Sequence, residues 1–311
     1  MRAVRSTSDG VAVVDVPPPE GDGVTVRVRS SGICGSDLHM LSLGLPVTLG
    51  HEFAGVLADG TAVAVQPTVP CGQCDCCAAG QDQLCRTVLQ RMHGVSVDGG
   101  LADEVMVHPS SLVPLPSRLA LPDAALVEPL AVAVHGLRQA ALVAGQRLLV
   151  IGAGTIGQLV VAVARHHRLD VSIVARHPAQ VRAAEKLGAR VHGLDEAEYD
   201  VVVDAAGTQG SLDLAIERVR PGGTVVIVAT YWSPVGIGHA LLGREVRLVP
   251  AFTYGRNDGH REFEEAAAIL ADNPQIVDAV VTHRVGLDEA ALAFQLAADR
   301  RSGAIKVLIE P

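Results

Sequence analysis

Apolar and polar residues alternate along roughly the first third of the chain in the manner of short β-strands. The clearest example is Val24 to Arg29, where valine occupies every second position. Turn-forming residues separate such stretches, as in Pro17 to Pro19 and Gly21 to Gly23. The pattern predicts a compact, barrel-like unit of strands. Further strands are expected at Val11 to Val14, Phe53 to Leu57, Ala62 to Gln66 and Asp103 to Val107.

A different pattern begins at Leu148 to Ile151, an apolar run typical of a buried strand. The positions after it place apolar residues on one face of a helix, and stretches of strand and helix type then alternate. This alternation predicts a parallel, doubly wound sheet. Its further strands are expected at Val171 to Val174, Asp200 to Ala205, Thr224 to Ala229 and Val246 to Val249, and its helices at Ala179 to Leu187 and Leu212 to Val219. A mixed pattern closes the chain, with helices at Arg261 to Ala271 and Asp288 to Asp299 and a strand at Ile305 to Ile309.

The hydrophobic content and the charge of the chain limit the classes of molecule that it is expected to bind. Of the 311 residues 49% are hydrophobic, and the formal net charge is −9. Lysine and arginine form no block, so nucleic acid is not an expected partner. No apolar run is long enough to span a membrane, and the N-terminus lacks the apolar core of a signal peptide. We expect a soluble cytoplasmic protein that acts on a small molecule.

Five of the six cysteines lie within C-G-Q-C-D-C-C-A-A-G-Q-D-Q-L-C, which begins at Cys71. The spacing of Cys71, Cys74, Cys77 and Cys85 suits a tetrahedral zinc ion with four sulfur ligands. A site of this kind leaves no open position, so its role would be structural. Cys76 is the spare thiol. The alternative is a loop of free thiols.

The stretch from Cys34 to Glu52 opens with C-G-S-D-L-H and closes with G-H-E. It holds a thiol, two imidazoles and carboxylates within a short interval. Thiolate and imidazole are ligands that zinc prefers. Taken alone, the same residues would equally fit a buried cysteine and surface histidines.

A glycine turn, G-A-G-T-I-G, follows the strand that ends at Ile151 and opens a helix. In this setting Gly152 permits a tight turn, Gly154 lets the backbone approach a pyrophosphate, and Gly157 lets the helix pack closely. Thr155 and Ile156 begin the helix, whose N-terminus carries the positive end of its dipole. The turn predicts a dinucleotide site.

The residues after the next strand bear on the choice of cofactor. A carboxylate expected there would bind the ribose 2′-hydroxyl of NAD, but Ala175 occupies the position and Arg176 and His177 follow. Arg176 can pair with a 2′-phosphate, which favours NADP over NAD. If Arg176 only stacks on adenine, the preference would be for NAD.

Taken together, these pieces resemble the zinc-dependent medium-chain dehydrogenases, which include alcohol, sorbitol and threonine dehydrogenases. The matching segments run in the family's order along nearly the whole chain: C-G-S-D-L-H, G-H-E-F-A-G, the four-cysteine segment, D-G-G-L-A-D-E-V, V-E-P-L-A-V-A-V-H-G and the glycine turn. The resemblance implies an α/β protein in which a Rossmann domain, residues 126–251, is inserted into a GroES-like β-barrel catalytic domain, residues 1–125 and 252–311. This chain is short for the family, and its loops after Cys85 look trimmed.

The resemblance also implies two zinc ions per chain. The catalytic ion would be held by Cys34 and His51, with Glu52 and Glu128 sharing the role of the remaining protein ligand. Ser36 would touch the substrate oxygen, His39 would pass the proton to solvent, and Asp37 would orient His51. Asp37 could instead be only a helix-start carboxylate, and His39 only a surface histidine.

The activity implied is oxidation of a secondary alcohol, of polyol, sugar or cyclitol type, to a ketone, or the reverse. Three alternatives remain: an NAD-preferring simple alcohol dehydrogenase, a non-catalytic NADP-binding sensor, and a zinc-free quinone reductase, which both metal clusters disfavour. The strand Val246 to Val249 resembles one that relatives pair across a two-fold axis. A homodimer or homotetramer is therefore expected.

Overall fold

The computed structural model describes residues 1–8, 10–191 and 198–311. These residues form two compact units. The first contains Met1–Glu128, Gly255–Val277 and Val281–Pro311, and the second contains Pro129–Tyr254 and Asp278–Val280. Across the described residues, no helix combines the length and the apolar character that crossing a membrane would require.

The strands are β1 Arg2–Thr7, β2 Gly10–Asp15, β3 Val24–Gly32, β4 Glu52–Val56, β5 Ala62–Val65, β6 Glu104–Val107, β7 Leu112–Pro114, β8 Arg147–Ile151, β9 Asp170–Val174, β10 Arg190–Val191, β11 Tyr199–Asp204, β12 Val219–Ile227, β13 Arg247–Pro250, β14 Arg256–Asn257, β15 His260–Arg261, β16 Val281–Gly286 and β17 Lys306–Glu310. The α-helices are α1 Gly35–Met40, α2 Asp75–Ala78, α3 Val127–Gln139, α4 Thr155–His166, α5 Pro178–Lys186, α6 Gln209–Arg218, α7 His239–Gly243, α8 Glu262–Asp272, α9 Gln275–Val280 and α10 Ala290–Ala298. Short 3₁₀ helices span Leu41–Leu43, Asp82–Leu84, Val88–Arg91, Pro109–Ser111, Leu121–Leu126 and Leu287–Glu289.

The main sheet of the first unit is mostly antiparallel, with strand order β16-β17-β3-β4-β5-β7, and β6 also pairs with β3. Val26, Val28, Phe53, Val63 and Val65 point their side chains into one buried core of this unit. The alternation that predicted the strands thus corresponds to an apolar face on the core, as a half-buried sheet requires. The strand β17 pairs antiparallel with β3 and parallel with β16. It thereby brings a distant part of the chain beside the residues that lead into α1.

The second unit holds a six-stranded parallel sheet in the order β10-β9-β8-β11-β12-β13. This order reverses direction between β8 and β11, as in a dinucleotide-binding Rossmann sheet. On α4, Leu159, Val160 and Val163 are buried as predicted, but so is every other residue from Gly157 to Ala164, so this stretch of the helix is buried on all sides and not on one face only. The predicted doubly wound parallel sheet is confirmed.

Several predicted boundaries were wrong. The segment Pro221 to Gly223 was expected to be a turn before a strand, but β12 already begins at Val219. Its register against β11 shifts between the pairs Tyr199–Val219 and Val201–Thr224, so the turn residues form an irregularity within the strand. The strands β1, β7, β10, β14, β15 and β16 were not predicted. In β16 every second residue is exposed, and periodicity over so short a run is weak.

Candidate active site and metal centres

The first candidate site is built where β3 ends and α1 begins. Cys34 is the residue that precedes α1, and its backbone N–H donates to Oδ2 of Asp37 at 2.9 Å. A carboxylate in the first turn satisfies an otherwise unpaired amide and suits the positive end of the helix. Asp37 is 1% exposed. The hydrogen bond between Cys34 and Asp37 therefore sets the direction in which the Cys34 side chain leaves the backbone.

Cys34, His51 and Glu52 converge, each offering a ligand atom that lies within 4.8 Å of the other two. His51 and Glu52 are 5% and 1% exposed. The backbone beneath them is tightly packed: a Cβ built on Gly94 would lie 2.5 Å from the carbonyl carbon of Gly50. The structure thus brings together sulfur, nitrogen and oxygen donors of the kind that zinc binds.

His51 is contacted on both ring nitrogens. Nδ1 lies 3.1 Å from Oδ1 of Asp37, and Nε2 lies 3.5 Å from Oγ of Ser36. Burial opposes a charge on the imidazole, but the negative charges of Asp37 and Cys34 outweigh it and raise the pKa of His51 well above its usual value. The pocket therefore attracts positive charge.

Lys306, on β17, is the residue that the sequence reasoning missed. It is 1% exposed, and its Nζ donates to Oε1 and Oε2 of Glu52 at 2.8 and 2.6 Å and to the carbonyl of Ile33 at 2.8 Å. Burial alone would lower the pKa of this amine. The charges of Glu52, Cys34 and Glu128 instead hold the pKa of Lys306 above its usual value.

The remaining residues predicted for this site are placed as follows. Glu128 is the second residue of α3 and is 5% exposed. Its charge contributes to the raised pKa of Lys306, but among the described residues its carboxylate is not one of the ligand atoms that converge with those of Cys34, His51 and Glu52. His39 lies in the last turn of α1 and is exposed.

The four predicted thiols form a second cluster, in which the sulfur atoms of Cys71, Cys74, Cys77 and Cys85 all lie within 4.8 Å of one another. The Cys74 and Cys77 sulfurs are 3.5 Å apart, and the N–H of Cys71 donates to the Cys85 sulfur at 3.2 Å. Burial raises the pKa of Cys77, whereas at Cys85 the backbone N–H groups of Cys71 and Thr87 overcome burial and lower it. Within the described residues the cysteines form no disulfide bond.

The glycine turn lies at the carboxyl end of β8. Gly152 has φ 101°, a conformation that glycine adopts without strain. A Cβ on Gly157 would lie 1.8 Å from the carbonyl oxygen of Gly152, so only glycine lets α4 approach this closely. Gly154 precedes α4, which Thr155 and Ile156 open. The backbone thus turns tightly from β8 into α4, as the glycine pattern predicts.

The loop after β9 contains the residues expected to choose the cofactor. Ala175 and Arg176 follow the strand directly, and His177 precedes α5. Oε1 of Gln180 accepts from the backbone N–H groups of Arg176 and His177, each at 3.4 Å. Gln158, which is fully buried on α4, donates to the carbonyl of Gln180 at 2.8 Å. The loop is thus tied to the helix that follows the glycine turn.

Two known family models together match most of the chain. Residues 20–117 match the family model of the alcohol dehydrogenase GroES-like domain, and residues 122–310 match that of the glucose dehydrogenase C-terminus. D-xylulose reductase A of Aspergillus oryzae is 31% identical over 319 residues, which cover 87% of this chain and 85% of that protein. The chain belongs to the zinc-dependent medium-chain dehydrogenase/reductase family.

Other relatives of this medium-chain dehydrogenase support the same family assignment. L-Galactonate-5-dehydrogenase of Escherichia coli is 27% identical over 299 residues, covering 87% of this chain and 86% of that protein. The structure of L-idonate 5-dehydrogenase from Escherichia coli matches with a TM-score of 0.89 and 26% identity, covering 100% and 97% of the two chains. A Sinorhizobium meliloti protein assigned as a zinc-binding dehydrogenase, solved with NADP bound, matches with a TM-score of 0.86 and 30% identity over 100% and 99%.

Family membership confirms the predicted fold class, a Rossmann-type parallel sheet together with a GroES-like domain. It also confirms that the medium-chain dehydrogenase is an oxidoreductase of the zinc-dependent alcohol and polyol type, a class that uses NAD(P).

Proposed function

We propose that this dehydrogenase oxidises a secondary alcohol of polyol, sugar or cyclitol type to a ketone, or catalyses the reverse reduction, with zinc and NADP. The observation that carries the proposal is the buried convergence of Cys34, His51 and Glu52, with the Ser36 hydroxyl 3.5 Å from the His51 ring. Relatives named for xylulose, galactonate and idonate support the substrate class.

The residues of the first cluster fit a zinc ion. They offer a thiolate, an imidazole and carboxylates, and their combined negative charge raises the pKa of His51, so a cation is favoured there. We propose Cys34, His51 and Glu128 as ligands, with Glu52 held by Lys306 and available to share the position of Glu128. Zinc bound there supplies a Lewis acid for the substrate oxygen.

The protein's own side chains would then manage the proton and the geometry. The Ser36 hydroxyl would accept the proton of the substrate alcohol and donate its own toward solvent through His39. Asp37 Oδ1, 3.1 Å from Nδ1 of His51, would fix the orientation of that ring. Lys306 would balance the charge of Glu52 and hold its carboxylate through two hydrogen bonds.

The cofactor is proposed to be NADP rather than NAD. The glycine turn formed by Gly152, Gly154, Thr155, Ile156 and Gly157 would receive the pyrophosphate. The absence of an acid at Ala175 removes repulsion toward a 2′-phosphate, and Arg176 and His177 supply basic groups beside it. The nicotinamide supplies the hydride acceptor.

A second zinc ion is proposed at Cys71, Cys74, Cys77 and Cys85. Four sulfur donors within 4.8 Å match the ligand set of a structural zinc site. Zinc bound there would hold together a segment whose α-helix, α2, is only four residues long. We therefore expect two zinc ions per chain.

The assembly is proposed to be a homodimer or homotetramer. In the described part of the second unit, β13 is the terminal strand of the parallel sheet. Leu242, close by in sequence, is 80% exposed. An uncovered edge with apolar neighbours favours pairing with a second copy. Light scattering at micromolar concentration tests this, and a monomer would contradict it.

The test of function is a spectrophotometric screen of zinc-loaded protein. Secondary alcohols, polyols, sugars and cyclitols would each be offered with NADP and, separately, with NAD. We expect reduction of NADP by one polyol or sugar class. Reduction of NAD alone would refute the cofactor assignment. No turnover by protein that contains two zinc ions and binds NADP would refute the proposed activity and favour a non-catalytic NADP-binding role.

A further inference from the structure

Asp204, the last residue of β11, carries a fully buried carboxylate that the proposed chemistry does not use. It accepts four hydrogen bonds from neutral donors: the backbone N–H groups of Ala206 and Gly207 at 2.9 and 3.2 Å, the Ser211 hydroxyl at 3.0 Å and the Tyr231 hydroxyl at 2.6 Å. A buried carboxylate is costly unless such donors satisfy it. The carboxylate therefore holds these four donors in a fixed arrangement.

Three of these donors belong to two different loops, and the fourth, Ser211, lies on α6. The first, residues 205–208, follows β11, and the second, residues 228–231, follows β12. The backbone carbonyl of Asp204 also accepts from the N–H groups of Val228 and Ala229, at 3.1 and 3.3 Å. A Cβ on Gly207 would lie 2.6 Å from the carbonyl oxygen of Thr230. The two loops are thus packed against each other with Asp204 between them.

The first loop also contacts the glycine turn. The N–H of Ala205 donates to the carbonyl of Ile151 at 2.9 Å, and a Cβ on Gly152 would lie 2.9 Å from the backbone nitrogen of Ala206. This contact lies between β8 and β11, where the strand order reverses. Dinucleotides bind at this point of a doubly wound sheet, outside the carboxyl ends of the strands.

We propose that Asp204 is a positioning residue for the dinucleotide, acting through its hydrogen bond with Tyr231. The bond joins the loop after β12 to the end of β11, where the same carboxylate also holds the loop after β11, and so keeps the wall of the cofactor site in its binding shape. The inference rests on the proposed NADP-binding function of the second unit. Asp204 itself is buried and acts only through the loops that it holds.

Two features single out the Tyr231 bond. It joins residues 27 positions apart in sequence, whereas the other side-chain donor, Ser211, lies only seven positions from Asp204. Burial, reinforced by the charge of Asp204, raises the pKa of Tyr231, so the phenol keeps its proton and remains a donor. A short bond to a carboxylate is stronger than one between neutral groups. Without it, the loop after β12 would have to be ordered when the cofactor binds, which weakens binding.

The experiment compares Tyr231→Phe with a matched control, Tyr199→Phe, in zinc-loaded full-length protein. Tyr199 is also a buried tyrosine, but it lies at the opposite end of β11. NADPH binding would be titrated by fluorescence, alongside zinc content, melting temperature and steady-state kinetics. We expect Tyr231→Phe to raise the Kd and KM for NADPH about tenfold, with kcat and zinc content retained. Tyr199→Phe should leave the Kd unchanged.

A third variant separates positioning from general stability. Asp204→Asn keeps an oxygen for the amides of Ala206 and Gly207 and can donate to the Tyr231 oxygen, so its Kd should fall between those of wild type and Tyr231→Phe. A Kd within twofold of wild type for Tyr231→Phe would overturn the proposal. Equal weakening by both Tyr→Phe variants, in step with their melting temperatures, would also overturn it. If the wild type binds no dinucleotide, the proposed function itself fails.

Discussion

The buried pair formed by Lys306 and Glu52 offers a sharp test of the first site. Replacing Lys306 by Met keeps most of the side-chain volume but removes three hydrogen bonds, two to Glu52 and one to the carbonyl of Ile33. Both charged side chains are 1% exposed. Removing one partner of such a pair leaves a buried charge uncompensated, which costs about 3–5 kcal/mol. That loss is a large share of a typical domain's stability of about 5–15 kcal/mol.

The assay is urea unfolding of zinc-loaded protein at neutral pH, with zinc content measured in parallel. The control is Lys186→Met, which removes the chain's other lysine from an exposed pair with Asp278 at 3.6 Å. Exposed pairs contribute about 0–1 kcal/mol, so this variant should stay close to wild type. The double variant Lys306→Met/Glu52→Gln should recover part of the loss, with a coupling energy of at least about 2 kcal/mol.

The reasoning would be refuted if Lys306→Met lost less than about 1 kcal/mol. Additive losses in the double variant would also refute it, because they would show that the two side chains stabilise the fold independently. A loss of catalytic zinc from Lys306→Met together with the expected destabilisation would show that Glu52, once released, disturbs the metal ligands.

Three further variants, one of them with a matched control, test the proposed site roles. Ser36→Ala should lower kcat about 100-fold at unchanged zinc content, because the proton loses its first acceptor; an unchanged kcat would exclude Ser36 from the proton path. Cys71→Ser should remove one zinc per chain and several kcal/mol of unfolding free energy, whereas the neighbouring Cys76→Ser should retain both ions, as metal analysis and urea unfolding would show. Arg176→Gln should lower kcat/KM for NADP about tenfold or more, while NAD kinetics stay nearly constant; equal losses with both cofactors would indicate that Arg176 contacts adenine instead.

The parts of the fold that the sequence predicts well are those in which a local pattern reports a buried face. The run Leu148 to Ile151, followed directly by G-A-G-T-I-G, corresponds to β8, the glycine turn and α4. The four-cysteine segment is similarly local, because its ligands lie within fifteen positions of one another. The structure brings those thiols together, and also Cys34, His51 and Glu52. Their roles in metal binding and catalysis remain predictions.

Long-range polar pairing could not be predicted from local pattern. Lys306 opens the apolar run K-V-L-I-E, where a lysine is most simply interpreted as an exposed residue at a strand end. Its burial depends on Glu52, which lies 254 positions away. Asp204 likewise ends an apolar strand, and its partner Tyr231 belongs to the next βα unit. In both cases the indication in the sequence was a polar residue directly at the boundary of a buried strand.

The distance between Glu52 and Lys306 along the chain also orders events during synthesis. Ribosomes add about 5–20 residues per second, so the 254 positions between them correspond to a delay of about 13–50 s. Throughout that interval the nascent polypeptide carries Cys34, His51 and Glu52 without the lysine that neutralises the carboxylate, and β3 lacks its neighbour β17. The complete charge arrangement therefore assembles only after translation has passed the dinucleotide-binding unit, so the proposed catalytic metal site is completed late in synthesis.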